Sequence, residues 1–172
     1  SWLVFAGLLE VRPRGVARAD GAGAQMGVAS ASRIGGLFLG TAAPFRLEDM
    51  LTRVFANNGT LTRAQLEAAG LRNAVSDAIA LGLLDANKGV LVLRHSATSA
   101  ADLVAHSKAV VTHQPAVVLA VECLREAQGD RVQAGARLGI ALEATWKPAS
   151  ATRYLGGLLR FAVWAGMPRA DV

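Results

Sequence analysis

Cysteine is nearly missing from this chain: Cys123 is the only one in 172 residues. A single thiol excludes an internal disulfide framework and a cysteine-based zinc site. Its place in an apolar helical pattern marks it as a packed thiol, and a reducing, cytoplasmic setting fits. Aromatic residues are also scarce, at 5%, so the core must be built mainly from Ala, Leu and Val. No run reaches the roughly 18 uninterrupted apolar residues that a membrane-spanning helix needs. The most apolar stretch, residues 109–124, is broken by His113, Gln114 and Pro115 and then carries Glu122. A membrane partner is therefore not expected. The first fourteen residues, SWLVFAGLLEVRPR, have an apolar run with no basic region before it, unlike a signal peptide.

Groups that carry catalysis are equally thin. His106 and His113 are seven residues apart and share a helix face, but no carboxylate or cysteine completes a ligand set with them or with His95. Ser96, Ser99 and Ser107 lie near these histidines but lack the strand-turn-helix elbow of a nucleophile. Asp130, Glu143 and Lys147 are the nearest approach to a nuclease metal cluster, yet they fall across a helix, a turn and a loop. The glycines of Arg33-Ile34-Gly35-Gly36-Leu37-Phe38-Leu39-Gly40 have no lysine nearby, as a phosphate loop requires. That stretch reads as an apolar segment packing on a neighbouring unit. No enzymatic activity, cofactor or metal is expected.

What is present is apolar content and a modest positive charge. Hydrophobic residues make up 52% and charged residues 18%, with 18 basic against 13 acidic side chains and a pI near 10.3. Such a balance disfavours disorder and permits a polyanionic partner without demanding one. The length suits one large domain or two of roughly 60 to 90 residues. The charge is spread evenly: residues 46–100 hold six basic and five acidic residues, and residues 101–172 hold eight and six.

The chain begins with Ser1 inside an apolar pattern, and residues 2–9 read as the end of a helix stopped at Gly7. A chain that begins this way suggests a piece of something longer. Residues 10–18 are expected to form a strand and turn, and the Gly/Ala/Ser-rich residues 19–34 an irregular connection. Pro44 marks a boundary. Leu47, Met50, Leu51, Val54 and Phe55 then recur at helical spacing over residues 46–57, ended by Asn58-Gly59. Thr60-Leu61 allows only a very short strand. Thr62 and Gln65 form a capping box for a helix over residues 63–69, with Ala64, Leu66 and Ala68 or Ala69 available for burial. Gly70 supplies a tight turn. A third helix over residues 73–81 buries Val75, Ala78 and Ile79 and stops at Gly82. Leu83-Leu84 lead into a hairpin connection at residues 85–89, and Val90, Leu91, Val92 and Leu93 return as a strand.

The stretch TLTRAQLEAAGLRNAVSDAIALGLLDANKGVLVLRH resembles the winged-helix superfamily of helix-turn-helix domains. The likeness lies in a first strand, a second helix, a recognition helix, a Gly-Leu-Leu exit and a β-wing. With the helix before it, from Phe45 to His95, the likeness covers about fifty residues and specifies fold better than function, because winged helices serve both DNA binding and protein contacts.

Beyond it, a helix is expected over residues 97–112 and another from Pro115, burying Val117, Val118, Ala120, Val121, Leu124 and Ala127. Gln128-Gly129-Asp130 ends that helix as Asn57-Asn58-Gly59 ends the earlier one. A short helix over residues 133–138, a turn at Gly139-Ile140 and a final helix from Pro148 to about residue 165 follow. Gly7, Gly82 and Gly166 end helices of similar pattern 75 and 84 residues apart. The order of elements suggests a repeat. The expected class is mainly α with small β-wings, in tandem winged-helix units: the tail of one over residues 1–20, a connection over 21–44, a complete domain over 45–96 and a second winged-helix-like domain over 97–172.

The resemblance implies a non-enzymatic protein, or part of a larger one, that recognises double-stranded DNA. Arg63, Lys88, Lys147 and Arg153 would anchor phosphates, and Arg72, Asn73, Ser76 and Arg160 would face the groove. Arg94 is a weaker candidate because it follows the strand. Asp77 lies one step from the reading face, where its charge would repel phosphate. Tyr154 and Trp164 favour packing over base stacking. The alternative is a protein-interaction module, supported by the weak charge and by Trp2, Phe38 and Trp164, which look exposed.

Overall fold

The computed structural model describes residues 9–12, 15–18 and 37–168. The expected helix end at Gly7, the connection over residues 19–34 and Trp2 lie outside them. Within the expected strand and turn, β1 (Leu9–Arg12) and β2 (Gly15–Arg18) pair antiparallel, with Leu9 opposite Arg18 and Arg12 opposite Gly15.

The first half is a helix, strand, helix, turn, helix and hairpin. α1 (Pro44–Ala56) has proline in its first turn and buries Leu47, Met50, Leu51 and Val54. β3 (Thr60–Thr62) leads straight into α2 (Arg63–Ala68), whose capping box forms: Thr62 Oγ1 accepts from Gln65 N, and Gln65 Oε1 accepts from Thr62 N. Of the α2 residues expected inside, only Leu66 is buried; Ala64, Ala68 and Ala69 are exposed. A helix of six residues offers barely two turns, so a single side chain reaches the core.

α3 (Arg72–Ala80) buries Ala74, Val75, Asp77 and Ala78. β4 (Leu84–Asn87) and β5 (Val90–Leu93) form the hairpin, and the sheet order is β3-β5-β4, all antiparallel. Its two-residue turn, Lys88-Gly89, has both residues at positive φ (49° and 84°), the twist that matches a right-handed hairpin.

Four helices follow among the described residues: α4 (Ala100–Thr112), α5 (Pro115–Glu126), α6 (Arg131–Ala141) and α7 (Pro148–Trp164). The expected short helix over residues 133–138 and the turn at Gly139-Ile140 are one continuous helix. Asp130 starts it by accepting from Val132 N and Gln133 N. The glycines inside it serve packing rather than a break: a Cβ on Gly135 would stand 3.0 Å from the Ala151 backbone of α7.

Helix ends recur in the same order in the two halves. Gly59 N donates to Val54 O, and Gly129 N to Leu124 O. Leu71 N donates to Leu66 O, and Ala144 N to Gly139 O. Leu83 N donates to Ala78 O, and Met167 N to Ala162 O. Each is the wide bond that closes a helix through a residue in left-handed conformation. The halves differ after the first end: β3 follows Gly59, whereas α6 begins directly after Gly129.

Residues 37–43 form a strap without regular secondary structure that joins the halves. Phe38 is buried edge-on against Phe161 of α7, with ring centroids 5.1 Å apart. Gly40 and Gly157 sit backbone to backbone; a Cβ on Gly157 would lie on the Gly40 carbonyl oxygen. Two residues later the strap binds α3: Asp77 Oδ2 accepts from Ala42 N (2.7 Å) and Oδ1 from Thr41 Oγ1 (3.1 Å). The buried apolar residues form one continuous cluster through α1, α2, α3, β5 and α4 to α7. Among the described residues no helix is long and apolar enough to cross a membrane.

Candidate nucleic-acid interface

The turn at Gly70 brings α2 and α3 together as a pair, and their outward residues are polar. Arg63, Gln65 and Glu67 on α2 and Arg72, Asn73 and Ser76 on α3 are all exposed. Arg63 and Arg72 each occupy the first position of a helix, and neither first turn contains an acidic residue. A cation there opposes the helix dipole, so it does not stabilise the helix; at the start of α3, which no side chain caps, it adds to the positive potential of the free N–H groups. The hairpin tip joins this surface, because Arg63 N donates to Gly89 O (2.8 Å), setting Lys88 next to the start of α2.

Local partners temper these groups. Arg63 Nε reaches Glu67 Oε1 at 2.9 Å, an exposed pair one helical turn apart. Such pairs contribute about 0.3–0.5 kcal/mol and yield readily to a phosphate. Ser76 Oγ donates to Arg72 O (3.2 Å), which leaves its lone pairs outward. Arg94 is held by Asp85 through Nε and Nη2 (2.8 and 2.6 Å) and belongs to the hairpin.

Asp77 is not beside the exposed side of α3 that carries Arg72, Asn73 and Ser76. It is 3% exposed and turned toward the strap, so its charge does not confront a ligand on α3. Burial holds its carboxyl above the ordinary aspartate range, and the bonds from Ala42 and Thr41 only partly offset this. Helix phase carries the signal for this placement: positions 74, 77, 78 and 81 form one buried stripe.

On α7 the candidate residues separate. Lys147 is the residue before the helix and is exposed, as is Arg153. The Arg153 guanidinium lies 5.0 Å over the Tyr154 ring and donates to its hydroxyl at 3.2 Å, while Tyr154 rests against Trp146. Arg160 instead borders an apolar groove with Arg131. Phe38 and Trp164 do not form an exposed aromatic surface. Phe38 is buried, and Trp164 packs on Phe161 and donates from Nε1 to Glu48 Oε1 at 2.6 Å.

His95 stacks on His106, with centroids 3.9 Å apart and planes within 7°, while His113 Nδ1 is 2.9 Å from Ala109 O. Burial, and then the neighbouring His95, hold the His106 pKa below the ordinary histidine value. Asp130 is spent on capping α6, and no group of three or more metal-capable side chains occurs among the described residues. Cys123 is buried, and desolvation pushes its thiol up to about 11. No protein-family model, curated protein or solved structure matches this chain.

Proposed function

We propose that the chain is a non-enzymatic, double-stranded-DNA-binding protein of tandem winged-helix units, working in the reducing cytoplasm. The observation that carries the reading is the surface made by α2, α3 and the hairpin tip. It has two exposed arginines at adjoining helix starts, no acid in either first turn, and Lys88 beside them. In this reading α3 enters the major groove with Arg72, Asn73 and Ser76, and Arg63 and Lys88 hold phosphates on either side. Lys147 and Arg153 near the start of α7 extend the phosphate contacts. The order of helix ends shared by the two halves supports the tandem reading; the second half lacks the strand after its first helix end and lengthens the later two helices.

Fluorescence anisotropy on labelled duplex DNA across a salt series tests the proposal. Affinity should fall with salt at a log–log slope of about −0.9 per phosphate contacted. The folded double variant Arg72→Glu, Arg153→Glu should bind at least tenfold more weakly. Absence of binding to duplex at low salt defeats the reading, and unchanged affinity in the double variant removes the site assignment.

A further inference from the structure

A groove of about 760 Å3 lies apart from the α2–α3 surface, between the start of α1, the middle of α5 and the second half of α7. Phe45, Val121, Leu124, Leu159 and Val163 line it, with Arg131 and Arg160. Two of its features add little to the packing of the chain itself. Phe45 is 63% exposed and Val163 48%, although each belongs to a helix whose core face is already filled. Arg131 takes the first position of α6, where a cation opposes the dipole and Asp130 already supplies the cap. Neither Arg131 nor Arg160 makes an ion pair with another described residue, and Arg131 and Arg160 are both exposed.

We propose that this groove receives an amphipathic helix of a partner protein, with acidic residues flanking its apolar face. The apolar walls and the two cations together select the occupant. DNA would satisfy the arginines but leave Phe45, Leu159 and Val163 in water. A small ligand in a pocket has about 70–90% of its surface enclosed, and walls this exposed do not enclose one. A helix presenting apolar side chains at i, i+3, i+4 and i+7 covers Phe45 and Val163, and its acids reach Arg131 and Arg160. The proposal does not depend on DNA binding, and it removes Arg160 from the DNA-contacting set.

The test selects binders to the intact chain from a displayed library of single-helix peptides, unbiased in charge. Enriched peptides should carry the apolar spacing with flanking Asp or Glu. Their affinity, measured by anisotropy, should fall at least tenfold in Phe45→Asp and in Arg131→Glu, Arg160→Glu. Exchanging the peptide's acids for lysines should restore binding to the second variant. Both changes are at exposed side chains, and circular dichroism checks the fold; should Phe45→Asp unfold the chain, the arginine variant and its charge-swapped peptide decide alone. Arg72→Glu should leave peptide binding unchanged, which separates this result from the DNA reading. The proposal is overturned if no peptide is enriched, if basic peptides are enriched as often as acidic ones, or if binding survives both variants. It is equally overturned if no peptide binds and the groove instead holds a second copy, seen as a dimer that Phe45→Asp dissociates, or saturably binds dodecanoate.

Discussion

Replacing Asp77 tests how the strap is fastened, and two substitutions separate shape from charge. Its carboxylate accepts from Ala42 N at 2.7 Å and Thr41 Oγ1 at 3.1 Å while only 3% exposed. Asp77→Ala strands the buried Ala42 N–H, and an unsatisfied buried donor costs about 1–3 kcal/mol. Relief of the buried charge offsets part of this, so a net loss of about 2 kcal/mol is expected. With a urea slope of about 2 kcal/mol/M, the unfolding midpoint should fall by about 1 M. Asp77→Asn keeps an acceptor for Ala42 N and removes the charge, so at pH 7 its midpoint should stay within about 0.3 M of the parent. The pH dependence has a definite sign. Because burial raises the folded-state pKa, the wild-type group contributes stability that is complete below about pH 3.8. That contribution is lost as pH rises through the raised value. The stability of Asp77→Asn relative to wild type should therefore increase between mild acid and neutrality. Urea titrations followed by far-ultraviolet circular dichroism at several pH values measure all three proteins. If Asp77→Asn falls as far as Asp77→Ala, or its difference from wild type is flat with pH, desolvation does not outweigh hydrogen bonding at this carboxylate.

Gly157→Ala should destabilise by about 1–3 kcal/mol despite the better helix propensity of alanine, because its Cβ would press on the Leu39 and Gly40 carbonyls; thermal unfolding reads the loss. Lys88→Asn places Asn-Gly in a turn that needs two positive φ angles, so stability should rise by about 0.5–1 kcal/mol while DNA affinity drops. The lowered His106 pKa means that the contribution of its neutral form is present above about pH 6.5 and lost as pH falls through the folded value. The urea midpoint of His106→Gln should accordingly decline less on acidification from about pH 7 to about pH 5 than that of the parent.

Local chemistry makes the first half legible. Thr62 and Gln65 signal a helix start without reference to anything distant, and Asn58-Gly59, Gly70 and Gly82 each mark a stop that the backbone takes. The hairpin turn is visible because Lys88-Gly89 interrupts an apolar run that can only return as a strand. Position 77 misleads because a carboxylate draws attention to its charge rather than to its place on the buried stripe. Residues 131–141 mislead because glycine reads as a breaker; Gly135 instead lets α6 approach α7. Phe38 cannot be placed from sequence, since its partner Phe161 lies far along the chain and no local pattern links them. The candidate site follows the same division. Arg63, Arg72, Asn73 and Ser76 follow from helix phase, whereas the distinction between Arg153 and Arg160 depends on the strap and on Phe45.

That distinction explains why two helices in comparable places in the two halves need not do the same work. α3 is nine residues long and turns Arg72, Asn73 and Ser76 outward, with the strap confined to its Asp77 side. α7 is seventeen residues long, and the strap crosses it at Gly157, midway between Arg153 and Arg160. A groove-reading helix must present a continuous face to the bases. The strap's backbone covers the inner side of α7 at Gly157, while a Cβ on Gly156, on the side of Arg153 and Arg160, would meet no neighbour; in the proposed reading the first turns, with Lys147 and Arg153, face a phosphate backbone. The later turns contribute Leu159, Arg160 and Val163 to the groove beside Phe45. Because Gly40 fastens the strap to α7 and Ala42 fastens it to α3, this short length of chain sets the separation of the polar face from that groove. Loosening either fastening should therefore disturb both surfaces, whereas changes at Arg72 or at Phe45 should each disturb only one.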